Sequence, residues 1–157
     1  MSGIQAEYST VIDARPEEIY AVLSDYRVAH PAILPKPPFT ELTVEKGGQG
    51  AGTVVMSRVK VFGREMSYHQ VVSEPEPGRV LMEKDMDTGQ YSSFTLDPLN
   101  GGKQTRVTIF CERPLEPGLM GIMQKLTQAQ YMRGLFKREL DNLANYLRNS
   151  DAATSPA

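Results

Sequence analysis

The sequence predicts an α+β domain: a curved antiparallel sheet of six to seven strands wrapped around one long C-terminal helix, with two short helices after the first strand. Three observations carry this. Strand-like segments follow one another from residue 40 to 112 with only short Gly- and Pro-rich turns between them, and links that short force antiparallel neighbours. A single long apolar stripe at helical spacing closes the chain. A sheet that buries one face against one helix must twist and curl around it.

The elements follow in order. "IQAEYSTVID" has the composition of a strand. In "ARPEEIYAVLSDY", Pro16 suits the first helical turn, Glu17 and Glu18 suit the positive end of the helix dipole, and Ile19, Val22, Leu23 and Tyr26 share one face. "RVAHPAILPKPPF" holds four of the eleven prolines, which excludes a long helix and leaves a helical turn followed by an extended connector. "FTELTVEK", "TVVMSRVKV", "REMSYHQVV", "RVLMEKDM", "YSSFTLD" and "KQTRVTIFCE" then read as strands, with Asn-Gly in "PLNGG" as a strong hairpin signal. The helix spans about 119 to 148, some 45 Å of it. One domain over residues 1–148 and a disordered tail over 149–157 are expected, with no internal repeat.

Composition narrows the function. With 157 residues, 40% hydrophobic and 23% charged, the chain reads as globular, and it is long enough to enclose a cavity within its core. A net charge of -2 gives no footprint for nucleic acid or an anionic membrane surface. No apolar run approaches a membrane span, and "MSGIQAEYST" lacks the features of a signal peptide. The lone cysteine, Cys111, forms no internal disulfide, so a cytoplasmic location is expected. Eight methionines and no tryptophan suit either gap-filling in a core or a surface that adapts to varied ligands.

Element order and local motifs resemble the START-like helix-grip superfamily, in particular its polyketide cyclase/dehydrase and lipid-transport branch (SRPBCC). The matching stretches are "STVIDARPEEIYAVLSDY", the proline-broken segment, "VVSEPEPGRVLMEKD", "GGKQTRVTIFCERP" and the final helix. "LSDYRVAHPAILP" is also similar to coenzyme Q-binding members. The resemblance implies a hydrophobic cavity between sheet and helix, holding a lipid, isoprenoid or polyketide-like molecule. Some members are cyclases or aromatases and others carriers or sensors, so fold does not fix function.

Alternation puts Val80, Met82 and Met86 on one strand face, Met66, Tyr68 and Val72 on the next, then Phe94 with Leu96 and Val107 with Ile109; these are expected to face the helix. Tyr68, Met82, Phe94 and Ile109 from the sheet, with Met120, Met123, Met132, Arg133 and Leu135 from the helix, form the expected ligand-binding set. His30 and Ile33 are expected at the cavity mouth. The same pattern also fits a plain core. Two histidines are too few for a recognisable zinc site, no metal or cofactor is expected, and no catalytic constellation is evident. His30 as a base needs an orienting carboxylate, for which Asp25 is nearest in sequence. His69, mid-strand opposite Met66 and Tyr68, and Cys111 read as structural. Binding of a hydrophobic small molecule is therefore the first reading. A cyclase or dehydratase using His30, Tyr68 or Arg133, or an interaction module using the outer sheet face, are the alternatives.

Arg133 stands out. The stripe 119, 122, 126, 129, 133, 136, 140, 143, 147 has one charged member, and it is Arg133, beside Gly134. An unpaired buried guanidinium is very costly. Three readings are open: an ion pair with Glu83, Asp85 or Glu112; escape to water at a bend or past the sheet edge; or an anchor for a ligand carbonyl or carboxylate.

Overall fold

A computed structural model describes residues 3–61, 63–115 and 118–154, with backbone alone for Leu126 and for 151–154. The first strand, β1 (Ile4–Ile12), leads into α1 (Pro16–Ser24) and α2 (Ala29–Ile33). Six strands follow: β2 (Phe39–Lys46), β3 (Val54–Val61), β4 (Arg64–Glu76), β5 (Val80–Asp85), β6 (Tyr91–Leu99) and β7 (Gln104–Arg113). The chain closes with α3 (Leu119–Thr154), which continues past the end of the apolar repeat. Every strand pairing is antiparallel, in the order β1-β7-β6-β5-β4-β3-β2. The seven strands and the long helix form the expected helix-grip architecture.

The core lies between the concave face and the second half of α3. Leu81, Phe94, Leu96, Val107 and Ile109 rise from the sheet to meet Leu140 and Leu143. Burial of each such side chain stabilises by about 1.5–3 kcal/mol. Ile19 and Leu23 of α1 and Ile33 of α2 close the side of this core, and Asn142 Nδ2 of α3 donates to the carbonyl of Ile33 at 3.0 Å.

The glycine-rich loop after β2 is a structural joint. Tyr26 N–H donates to the Gly48 carbonyl at 2.9 Å, and Gly50 N–H to that of Ser24 at 2.9 Å. Gly48 has φ of 129° and lies against the Arg27 side chain. That backbone conformation favours glycine.

On β5 the phase is the reverse of the expected one. Leu81, Glu83 and Asp85 are the buried set, and Met82 pairs with Ser73 and Ser93 on the convex side. Alternation of apolar residues favoured Val80 and Met82, but partners elsewhere in the chain let two carboxylates take the inner positions. Asp85 accepts from the backbone N–H groups of His69 and Thr88 and from the Thr88 hydroxyl, at 2.7–2.9 Å. Those bonds hold its pKa below the ordinary carboxylate value against the opposing pull of burial.

Candidate functional site: an imidazole between two buried carboxylates

The proline-broken segment delivers His30 to the interior. Asp25 ends α1, and its carboxylate accepts from the backbone N–H groups of Arg27, Val28 and Ala29 at 3.1–3.2 Å. Asp25 thus caps the start of α2 and does not orient the His30 ring, which corrects the sequence expectation. The backbone N–H of His30 returns to the Asp25 carbonyl at 2.8 Å. This tight turn drives the ring inward, where only 2% of its side chain is exposed. It stacks on Tyr26, with centroids 4.6 Å apart, and meets the edge of Phe94 at 5.6 Å.

Three polar contacts define the ring's chemistry. Nδ1 lies 2.7 Å from the Leu23 carbonyl, so geometry assigns it the proton. Nε2 lies 3.6 Å from Oε1 of Glu83 on β5 and 3.8 Å from Oε1 of Glu139 on α3. The Tyr26 hydroxyl donates to the same Glu83 oxygen at 2.8 Å. One strand, the end of α1, α2 and α3 therefore converge on one polar cluster inside an apolar core.

Burial first, then repulsion from Glu83, pushes the Glu139 carboxyl up to about 8. Burial first, then the Glu83 charge, drives the Tyr26 phenol well above its ordinary value. At neutral pH Tyr26 is a fixed donor and Glu139 holds its proton. Among the described residues no group of three or more His, Cys, Asp or Glu is placed to hold a metal ion.

The other expected site residues are dispersed. Phe94 touches the cluster, and Ile109 is buried in the core near it. Ile33 is fully buried rather than lining an opening, because its carbonyl and side chain both pack on neighbouring elements. Tyr68 is half-buried on the concave face, its hydroxyl 3.9 Å from Met66 Sδ. Met132 is buried beside Ala6 and Cys111, Leu135 is half-buried, and Met120 and Met123 are exposed.

Arg133 is exposed, and its Nε donates to the Glu7 carbonyl of β1 at 3.1 Å. β1 is an edge strand, so the guanidinium occupies an acceptor that has no strand partner. His69 faces outward and bonds Glu45 at 2.6 Å.

Sequence reasoning missed Tyr26, Glu83 and Glu139 as partners of His30. Tyr26 and His30 stand four apart, a detectable helical spacing. Glu83 and Glu139 carry no local signal, because each is recruited from a different distant element.

Two surface recesses flank this arrangement. A groove of about 360 Å³ runs between β1 and the second half of α3, lined by Thr10, Ile12, Ala144 and Arg148 among others. A smaller one of about 170 Å³ lies where Pro37 and Pro38 meet Lys60, Val61, Tyr131 and Arg138.

Fold and sheet-helix arrangement together define a START-like helix-grip protein. The chain belongs to the polyketide cyclase / dehydrase and lipid transport family, whose model matches residues 3–148. Among solved structures, the KanY protein (ms6282) is similar at 26% identity with a TM-score of 0.81, over 94% of this chain and 99% of that one. The Zhui aromatase/cyclase from Streptomyces sp. R1128 is similar at 16% identity with a TM-score of 0.66, over 98% and 96%. A START superfamily protein from Mycobacterium smegmatis matches at 16% identity with a TM-score of 0.62, over 96% and 99%. No curated protein matches the chain. Among the described residues, no helix is long and apolar enough to cross a membrane.

Proposed function

We propose that the protein binds a hydrophobic small molecule, of lipid, isoprenoid or polyketide-like class, between the concave sheet face and the first half of α3. One observation carries this reading. The helix stripe is fully buried at Leu140 and Leu143, yet Leu119 and Ile122 on the same stripe are 74% and 58% exposed. The concave face of β4 offers Met66, Tyr68 and Gln70, all half-buried. Bare apolar side chains on the helix together with a mixed apolar and polar sheet face suit a site of this class. The family's description includes lipid transport, and one structural neighbour is an aromatase/cyclase; a hydrophobic cargo or substrate is common to both.

Titration with the dye ANS, followed by competition with fatty acids, quinones and aromatic polyketides, tests the reading. Saturable, competable binding is expected; its absence with every class refutes the proposal.

A second reading, a cyclase or dehydratase, draws on the position of His30 between two carboxylates, since paired acid and base groups suit proton transfer. Incubation with a linear polyketide intermediate tests it: mass spectrometry should reveal loss of one water, and an unchanged substrate argues for binding alone.

A further inference from the structure

The polar cluster contains more negative capacity than positive. Nδ1 of His30 must keep its proton for the Leu23 carbonyl, which cannot donate. The ring can therefore gain one positive charge at most, by protonation at Nε2. Two carboxylates face that atom. Glu83 has a fixed donor in Tyr26. Glu139 has none: among the described residues no hydrogen bond of its carboxyl is seen, and its one ion-pair contact is with His30 at 3.8 Å. An uncompensated buried carboxylate is far costlier than a neutral acid.

We propose that Glu139 is held as a neutral carboxylic acid whose proton is offered to an acceptor oxygen of the bound molecule, so that the site selects hydrophobic ligands bearing a ketone or quinone carbonyl. This rests on the binding site proposed above.

Glu139 is less enclosed than the imidazole it faces. The side chains of Glu139 and Glu83 retain 9% and 11% exposure, against 2% for His30. Glu139 also shares a helix face with Met132 and Gln128, at spacings of seven and four residues along α3. Among the described residues, Gln128 Oε1 is a buried acceptor with no hydrogen-bond partner, so this face carries a second polar group toward the bare end of the helix. An unmade buried hydrogen bond is a standing cost that a ligand relieves.

The titration of Glu139 near 8 agrees with this state. The groups facing it are Tyr26 after α1, His30 on α2 and Glu83 on β5. Tyr26 stays neutral throughout the range, so ionisation of Glu139 itself removes the donor as pH rises.

The test uses two probes of matched shape, 2-acetylnaphthalene and 2-ethylnaphthalene, measured by competition against ANS at pH 6.5 and pH 9. The wild-type protein should bind the ketone about tenfold more tightly at pH 6.5, the factor for one net hydrogen bond, and lose that preference at pH 9. Glu139→Gln retains an N–H donor that does not titrate, so its ketone preference should persist at both pH values. Glu139→Leu should bind the hydrocarbon and disfavour the ketone, which leaves its water hydrogen bonds behind without replacement. A red-shifted carbonyl stretch of the bound ketone should appear in wild type and Glu139→Gln and vanish in Glu139→Leu.

Equal affinity of the wild type for both probes at pH 6.5, or a ketone preference surviving in Glu139→Leu, overturns the donor role while leaving hydrophobic binding intact. Failure of the wild type to bind either probe overturns both. If Glu139→Leu does not fold, the contrast between a pH-dependent wild type and a pH-independent Glu139→Gln decides the matter.

Discussion

Tyr26 donates its hydroxyl proton to Oε1 of Glu83 at 2.8 Å, tying the end of α1 to the centre of the sheet. The bond is buried and its acceptor is charged, which places it among the stronger hydrogen bonds in a protein. Tyr26→Phe should therefore cost about 2 kcal/mol, as read from urea unfolding. A loss below about 0.5 kcal/mol would mean that Glu83 finds another donor.

Stability should depend on pH through Glu139. Its carboxyl titrates near 8 in the folded protein and near 4.5 as a free side chain. Between those values the unfolded chain has released a proton that the folded protein keeps. Stability from this group is thus fully present below 4.5 and declines as pH rises, by about 1.4 kcal/mol per unit at most, until it levels above 8. Glu139→Gln should remove that slope, giving a variant increasingly more stable than wild type from pH 5 to 8. Parallel pH profiles for the two proteins would refute the assignment.

Replacing Arg133 with methionine should change stability by less than about 1 kcal/mol, because the lost hydrogen bond to Glu7 is exposed. Half of a buried ion pair would instead cost roughly 3–5 kcal/mol. Chemical denaturation at neutral pH separates the two.

The two halves of α3 should respond oppositely to truncation. Leu143→Ala opens a void in the core and should cost about 2–5 kcal/mol. Ile122→Ala should leave the ligand-free protein within about 0.5 kcal/mol of wild type, while weakening ANS binding. Retained ANS affinity in Ile122→Ala would remove this residue from the binding surface.

Cys111 should be inert. Burial pushes its thiol up to about 12, and the thiolate is the reactive form. Iodoacetamide at pH 8 should leave the native protein unmodified by mass spectrometry and alkylate it promptly in urea.

The fold was legible because its signals are local. The turns between strands, the proline-broken segment and the stripe ending in Leu140, Leu143 and Leu147 each declare themselves within a dozen residues. The polar cluster was only half legible. His30 stood out as one of two histidines, and Glu83 as a possible acid partner, though for Arg133 instead. Nothing near Glu139 in "FKREL" distinguishes it from the exposed Lys137 and Arg138 beside it. Its inward placement follows from helix phase: Glu139 falls between half-buried Phe136 and buried Leu143, one step from Leu140. The phase of β5 failed for a related reason. Alternation weighs only side-chain polarity, whereas Glu83 is stabilised inside by a tyrosine 57 residues away.

Arg133 shows how a charge can occupy a core stripe without being buried. The helix runs beside β1, and the stripe position at 133 falls over the rim of the sheet rather than over its centre. A lysine or methionine would reach the same place, but neither presents a planar donor to a backbone carbonyl in the same way.

The pairing of β1 with β7 also governs how the chain is made. Ile4 lies opposite Arg113, so β1 has no neighbour in this sheet until β7 has been synthesised. At about 5–20 residues per second, β1 waits for several seconds at least. Over that interval α1, α2 and the β2–β6 meander can assemble through short connections, whereas the β1–β7 seam must close across the whole domain. A strand that carries a charge on its exposed face at Glu7 and is followed at once by Asp13 is well suited to remaining unpaired during that delay, because charge disfavours the premature strand association that a uniformly apolar segment would invite.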